Sequence, residues 1–290
     1  MNADFTPVII IGAGRSGTNL LRDCLTRLPE FETWQCDEIQ PIWRHKNVRF
    51  KTDELPASRV SPDVKKFIRN AFNKLWRQTG HPKFVVEKTC ANTLRIPFVD
   101  AVLPEAVYIH LIRHGADVVR SAEKRWRGDL EVPSFAYYAA KARFIPFSDL
   151  WLYLWEFVSK RTFMVLGQEE RLSTWGPRFE GIDDWSDRDL DEVCAKQWSC
   201  CVSSTLNALA DIDSKRQITI YYEDLVLNPT AELERVLNAL DVRLPVSMIN
   251  EAVAIVRTKE SNKGVRDVKN KKVLDILTPA LKALGYGITK

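Results

Sequence analysis

The sequence predicts an α/β fold, a parallel sheet flanked by helices and interrupted by a helical insertion. Three observations carry that prediction. Short, β-branched runs at 8–11, 84–86 and 106–112 each end in a turn that leads into a segment with helical spacing. The first of these turns is glycine-spaced and basic. The pattern then returns at 217–222, after a block rich in aromatic residues. Repeated strand, turn and helix requires crossover connections, and crossovers join parallel strands.

The elements follow in order. Val8 to Ile11 is a buried strand bounded by glycine. Thr18 to Leu28 is the next helix, with Leu20, Leu21, Cys24, Leu25 and Leu28 on one face and Pro29 closing it. A mixed loop from Phe31 to His45 carries Trp34, Trp43 and the carboxylates Asp37 and Glu38. Residues 62–78 form an amphipathic helix. Phe84-Val-Val86 is a strand ending in Glu87-Lys88-Thr89, and Leu94 to Leu103 is a helix that Pro97 disturbs near its start. Residues 106–112 are a strand ending in Arg113-His-Gly, followed by a helix from about Ala116. Cys194 to Leu209 reads as a helix within the aromatic-rich block. The strand 217–222 leads to a helix capped by Thr230, and 246–257 and 273–284 are two more helices.

At 290 residues, 45% hydrophobic and 28% charged, the chain is long enough for one full α/β domain. Its core is expected at about 5–126 and 215–290, with the insertion or lid at about 127–214. A net charge of +4 suits an anionic small ligand and is too mild to point to nucleic acid. No basic segment precedes a long apolar run near the N-terminus, and 150–158 is too short to span a bilayer. A cytoplasmic protein without a membrane span is expected. The six cysteines lack metal-ligand spacing, so no zinc site is expected.

The loop Gly12-Ala-Gly14-Arg15-Ser16-Gly17-Thr18-Asn19 is an anion cradle. Glycines let backbone N–H groups approach a phosphate, and the helix start adds partial positive charge. A nucleotide-kinase loop needs Lys after its second glycine, and Thr18 stands there instead. The spacing Gly12, Gly14, Gly17 also fits a dinucleotide loop, but Glu30 and Glu32 follow a helix and a proline with no second strand expected before them.

Gly14-Arg-Ser-Gly-Thr18 resembles the 5′-phosphosulfate loop of the sulfotransferases that use 3′-phosphoadenosine 5′-phosphosulfate (PAPS). The resemblance implies a P-loop NTPase-like sheet, and it places Gly14, Arg15, Ser16, Gly17, Thr18 and Asn19 around the 5′-phosphosulfate. Arg113-His-Gly-Ala-Asp117-Val-Val-Arg-Ser121 resembles the family's 3′-phosphate site, an Arg at a strand end and a Ser eight residues on. Arg can grip a phosphate through two N–H donors while Ser approaches from the next helix. Tyr221-Tyr-Glu-Asp-Leu is similar to a family strand end, and it makes Tyr222 either a nucleotide contact or a core aromatic. Lys263-Gly264 resembles a late basic-glycine loop, so Lys263, with Arg266, is a further candidate contact. By motif order the resemblance covers about 8–46, 84–126 and 217–265.

Sulfuryl transfer needs both reactants positioned, charge on the bridging oxygen neutralised and the acceptor proton removed. Lys88, at a strand end, is placed for the bridging oxygen, and Arg15 is placed to share that task. Tyrosylprotein and several saccharide sulfotransferases use a Glu base, which in the tyrosylprotein type sits in a loop just after the first helix. Cys36-Asp37-Glu38 occupies that stretch and implies Glu38 as base, with Asp37 and His45 as alternates. The expected reaction moves a sulfuryl group from PAPS to a hydroxyl acceptor, a saccharide first, and leaves adenosine 3′,5′-bisphosphate (PAP). It needs no metal. Trp34, Trp43 and the aromatics at 151–155 are more often core than acceptor wall. Trp175-Gly-Pro-Arg-Phe179 is a candidate lid, and Arg127, Arg171 and Arg178 are candidate partners for an acidic acceptor. The alternatives are a P-loop phosphotransferase and a nucleotide-binding protein without turnover.

Overall fold

In a computed structural model of the chain, residues 4–36, 38–126, 146, 149, 151, 175–257, 268 and 270–286 are described. Five strands form one parallel sheet: β1 (Thr6–Ile11), β2 (Phe31–Glu32), β3 (Phe84–Lys88), β4 (Val107–Ile112) and β5 (Gln217–Tyr221). Their order is β2–β3–β1–β4–β5. β1 therefore lies between β3 and β4, with Ile10 opposite both Lys88 and Ile109. The chain reverses direction across the sheet at β1, and a ligand crevice opens at such a point beyond the carboxyl ends of the strands.

β2 corrects the sequence reading, which expected no strand before Glu32. Two residues are too few to show a period, and only pairing with Phe84 and Val85 defines them. The order also separates this sheet from a dinucleotide fold, whose second strand lies beside its first. Here β3 holds that place.

Alternation along the strands feeds two core layers. Val8, Ile10, Val86, Ile109 and Leu111 face one side, which α1 (Thr18–Leu25), α8 (Pro229–Ala239) and α9 (Val246–Val253) cover. Ile9, Ile11, Val85 and Tyr108 face the other, covered by α2 (Gln40–Trp43), α3 (Pro62–Gln78) and α4 (Ile96–Val102). α3 starts where the sequence places it, with Ser61 accepting from the Val64 N–H at 3.3 Å. Pro97 falls in the first turn of α4, where its missing N–H costs nothing.

A third layer joins α5 (Gly115–Trp126), α6 (Leu190–Leu209) and α10 (Lys271–Ala283). α6 buries Val193, Cys194, Ala195, Trp198 and Cys201 among residues of α5 and α10. It is part of the core in that layer. After β5 the chain turns at once into α7 (Tyr222–Leu227). Asn228, not Thr230, precedes α8, and the Thr230 hydroxyl donates to Asn250 Oδ1 at 2.8 Å. Among the described residues no helix is long and apolar enough to cross a membrane.

Candidate donor and catalytic site

The loop 12–17 joins the buried end of β1 to α1 in the crevice between β3 and β4. Its turn is closed by the Ser16 N–H donating to Ala13 O at 3.1 Å. Arg15 and Gly17 both take left-handed backbone, with φ of 71° and 95°. Gly17 is the N-cap of α1 without a side-chain cap, so the first-turn N–H groups face the loop's concavity. A Cβ at Gly17 would meet the Tyr222 ring at 2.4 Å, and one at Gly14 would meet the Trp175 ring at 3.3 Å. The cradle is walled by two aromatic rings, and at Tyr222 only glycine admits so close an approach. Ser16 and Thr18 are buried, and Asn19 is exposed on the first turn.

Arg113 follows β4 directly. Its Nη1 donates to Arg15 O at 3.0 Å, and its guanidinium lies over the Tyr222 ring, 4.3 Å from the centroid. Its Nε is buried with no hydrogen-bond partner among the described residues. An unsatisfied buried guanidinium donor is costly, and an anion supplies the partner it lacks. Arg15 Nε donates to Ser121 Oγ at 3.0 Å. The side chain of Arg15 thus lies with Arg113 and Ser121, the pair expected at the 3′-phosphate. His114 serves the turn: its N–H donates to Glu223 Oε1 at 3.0 Å, and its Nδ1 accepts from the Ala116 N–H at 3.2 Å. His110 is buried within β4, and burial pushes its imidazole down to about 4.

On the other side of the loop, β3 delivers Lys88. Its Nζ donates to Glu38 Oε1 at 3.1 Å, and the side chains are 2% and 25% exposed. The same carboxylate oxygen accepts from the Cys90 N–H at 3.1 Å. The Cys90 thiol reaches Thr18 Oγ1 at 3.8 Å, linking this group to the loop. The residues expected for base and bridging-oxygen cation therefore touch. His45 takes other partners: Nδ1 is 2.8 Å from Asp149 Oδ2, and the ring packs on Phe67. Asp37, Lys263, Arg266, Arg127 and Arg171 lie outside the described residues.

Behind Lys88 is a buried polar chain that no motif announces. Glu87 accepts from the Thr89 hydroxyl at 2.5 Å and from Asn92 Nδ2 at 2.7 Å. Burial pushes its carboxyl up to about 7, against the Thr89 hydrogen bond and the Arg95 charge. Arg95 is fully buried, and burial lowers its guanidinium to about 10. The one sequence signal was a charged residue set between Leu94 and Ile96.

Trp34 and Trp43 are core: both pack edge-on against Phe72. The aromatics at 152–155 lie outside the described residues, while Trp151 is exposed. Trp175 stands differently, half-buried against Gly14. Its carbonyl and that of Pro177 accept from Gln197 Nε2, each at 2.9 Å. Arg178 pairs with Asp183 at 3.3 Å.

A family model described as the sulfotransferase family matches residues 7–143 and 173–245. The match takes in 127–143 and 173–214, beyond what motif order covered. No curated protein sequence matches the chain. Among solved structures, a sulfotransferase from Mycobacterium avium is 12% identical, with 99% of this chain and 78% of that one covered at a TM-score of 0.59. The sulfotransferase domain of the Synechococcus PCC 7002 olefin synthase is 14% identical, with 99% and 98% covered at 0.56. The sulfotransferase domain from the curacin biosynthetic pathway is 14% identical, with 98% and 99% covered at 0.55. At these identities the structures share the fold.

Proposed function

The chain belongs to the sulfotransferase family, and from that premise we propose that it moves a sulfuryl group from PAPS to a hydroxyl acceptor, with Glu38 as base. The observation that supports this reading most is the Lys88–Glu38 pair, 3.1 Å apart at the end of β3 and tied to the donor loop through Cys90 and Thr18.

PAPS, when bound, supplies an activated sulfuryl group and leaves as PAP. The backbone of 14–18 and the start of α1 hold the 5′ end by their N–H groups. Arg113 and Ser121 hold the 3′-phosphate, and the unsatisfied Arg113 Nε suits that ligand. Lys88 Nζ neutralises charge at the leaving phosphate, a task the fixed cation performs without reorganising. The Glu38 carboxylate takes the acceptor's hydroxyl proton, and Lys88 Nζ holds that carboxylate in place by its hydrogen bond. Side-chain cations and backbone N–H groups carry the charge, so the scheme calls on no metal. A phosphotransferase would need a lysine where Thr18 stands.

The first acceptor class to try is a saccharide, on the Glu-type base and the exposed face of Trp175. Trp34 and Trp43, now core residues, no longer support it, so phenols and peptidyl tyrosine belong in the same panel. The deciding experiment combines calorimetry with labelled-sulfate transfer. Arg113→Ala and Ser121→Ala should each weaken PAP by at least ~10-fold, the scale of a lost charge-assisted hydrogen bond, and leave 5′-AMP nearly unchanged. Equal loss for both nucleotides would remove the 3′-phosphate assignment. Glu38→Gln should lower turnover by about 10²–10⁴ with PAP affinity intact. Unchanged turnover would move the base elsewhere, and no transfer to any hydroxyl would favour a binding protein.

A further inference from the structure

Glu38 lies in a loop, yet its carboxylate must stay within reach of a lysine on a strand. Gln40, two residues on and first in α2, is where that loop is fastened. Both ends of its amide are used. Nε2 donates to Asp53 Oδ1 at 2.7 Å, and Oε1 accepts from Arg95 Nη2 at 2.5 Å. Arg95 Nε in turn donates to Asn92 Oδ1 at 2.8 Å, and Asn92 Nδ2 donates to Glu87 Oε2 at 2.7 Å. Glu87 is the residue before Lys88. An unbroken run of side-chain hydrogen bonds thus leads from the strand end that carries Lys88 to the loop that carries Glu38.

The run continues outward. Asp53 is 4% exposed and also accepts from Arg44 Nη1 at 2.9 Å. Its Oδ2 accepts from the Arg178 N–H at 2.9 Å, and its own N–H donates to Arg178 O at 2.7 Å. The segment that begins at Trp175, beside the donor loop, is therefore fixed to the same aspartate as Gln40. Hydrogen bonds between buried polar groups hold the groups they join in a defined geometry, and the member atom left without one, Arg95 Nη1, lies 3.8 Å from Asp53 Oδ1. This network spans three chain segments, two of which also meet at the Lys88–Glu38 pair, and among the described residues Gln40 is its member nearest in sequence to Glu38.

We propose that Gln40 is a positioning residue for sulfuryl transfer: clamped between Arg95 and Asp53, it sets Glu38 against Lys88 and ties that setting to the Trp175 segment. The proposal rests on Glu38 being the base. It requires Gln40 to act on turnover and only through Glu38, which a double-mutant cycle measures.

Gln40→Leu keeps the side-chain bulk and removes both hydrogen bonds. It should lower kcat by about 10–100-fold, the scale of a small misplacement of a reacting group. PAP affinity by calorimetry should stay within about threefold of the parent, since a positioning defect spares uniform binding. In the Glu38→Gln background the same change should cost no further turnover. Equal losses in the two backgrounds would overturn the proposal, and so would a kcat within twofold of the parent. A fall in PAP affinity matching the fall in kcat would also overturn it. Failure of the base assignment shows separately, as full turnover in Glu38→Gln alone. Should Gln40→Leu not fold, Gln40→Glu keeps the acceptor toward Arg95 and loses the donor toward Asp53. It should give an intermediate kcat and, again, no loss when Glu38 is absent.

Discussion

Tyr222 is held at one edge and on one face. Gly17 lies at the ring edge so closely that a Cβ would sit 2.4 Å from it, and the Arg113 guanidinium lies over the ring, 4.3 Å from the centroid. The ring therefore sets the height of Arg113 above the start of α1. Sequence left this tyrosine open between core and nucleotide contact, because spacing does not say what a ring faces. Its place between the two expected phosphate sites suggests what to measure. Tyr222→Phe keeps the ring and should hold PAP affinity within about twofold, whereas Tyr222→Leu removes the cation–π contact and should weaken PAP by roughly 3–30-fold, equivalent to about 0.5–2 kcal/mol. Calorimetry on the pair checks this; equal effects would give the role to the hydroxyl. Lys88 makes a second prediction at this scale. If its ammonium acts at the leaving phosphate, Lys88→Ala should reduce kcat by about 10²-fold or more, as lost transition-state donors do, with PAP binding changed far less. The reverse split would make it a binding residue.

The end of β3 shows how an element can be half legible. All five of its residues are buried, which the run Phe-Val-Val announces for three of them. Glu87 and Lys88 extend the strand against that expectation, because each charge finds a partner: Lys88 the Glu38 carboxylate, Glu87 the Thr89 and Asn92 side chains. Residues 40, 44, 53, 87, 92 and 95 make one network but are spread through the sequence with no common period, so pattern reading passes over them. By contrast the cradle 12–18 and Arg113 were legible, since their geometry is local to one strand end each. Glu87 also gives β3 a pH signature. Burial raises its carboxyl from 4.5 to about 7 in the folded protein. Between those values the unfolded chain is ionised while the fold keeps the proton, so this group's stabilising contribution is whole below about 4.5 and falls as pH rises to about 7. Glu87→Gln has no such dependence. From pH 4.5 to 8 its stability should gain on the parent by up to roughly 3 kcal/mol, read as diverging urea midpoints; parallel midpoints would place Glu87 in a far less buried state.

At the scale of the whole molecule, the strand order brings three separate chain segments to the donor loop. β3 supplies Lys88 on one side, β4 supplies Arg113 on the other, and the segment 175–180 closes over Gly14. That segment is distant in sequence from the donor loop and from Asp53 and Glu54, and it is held from two directions. Gln197 of α6 takes the carbonyls of Trp175 and Pro177, while Asp53 and Glu54 take the N–H groups of Arg178 and Glu180. α6 is itself locked between α5 and α10, so the site's cover is fixed to the core and not to the sheet alone. Removing the α6 tether tests what the cover does. Gln197→Leu deletes two hydrogen bonds, each worth about 0.5–1.5 kcal/mol net, and leaves the Asp53 anchor in place. Hydrogen exchange should quicken at 176 and 178 and remain as in the parent within β1 and β4. If Trp175 faces the acceptor, the acceptor KM should rise by about 10-fold, within the range those two bonds allow, while PAP affinity stays within about threefold. A loss of PAP affinity equal to the rise in KM would assign the Trp175 ring to the donor, and unchanged kinetics with faster exchange would make the segment structural alone.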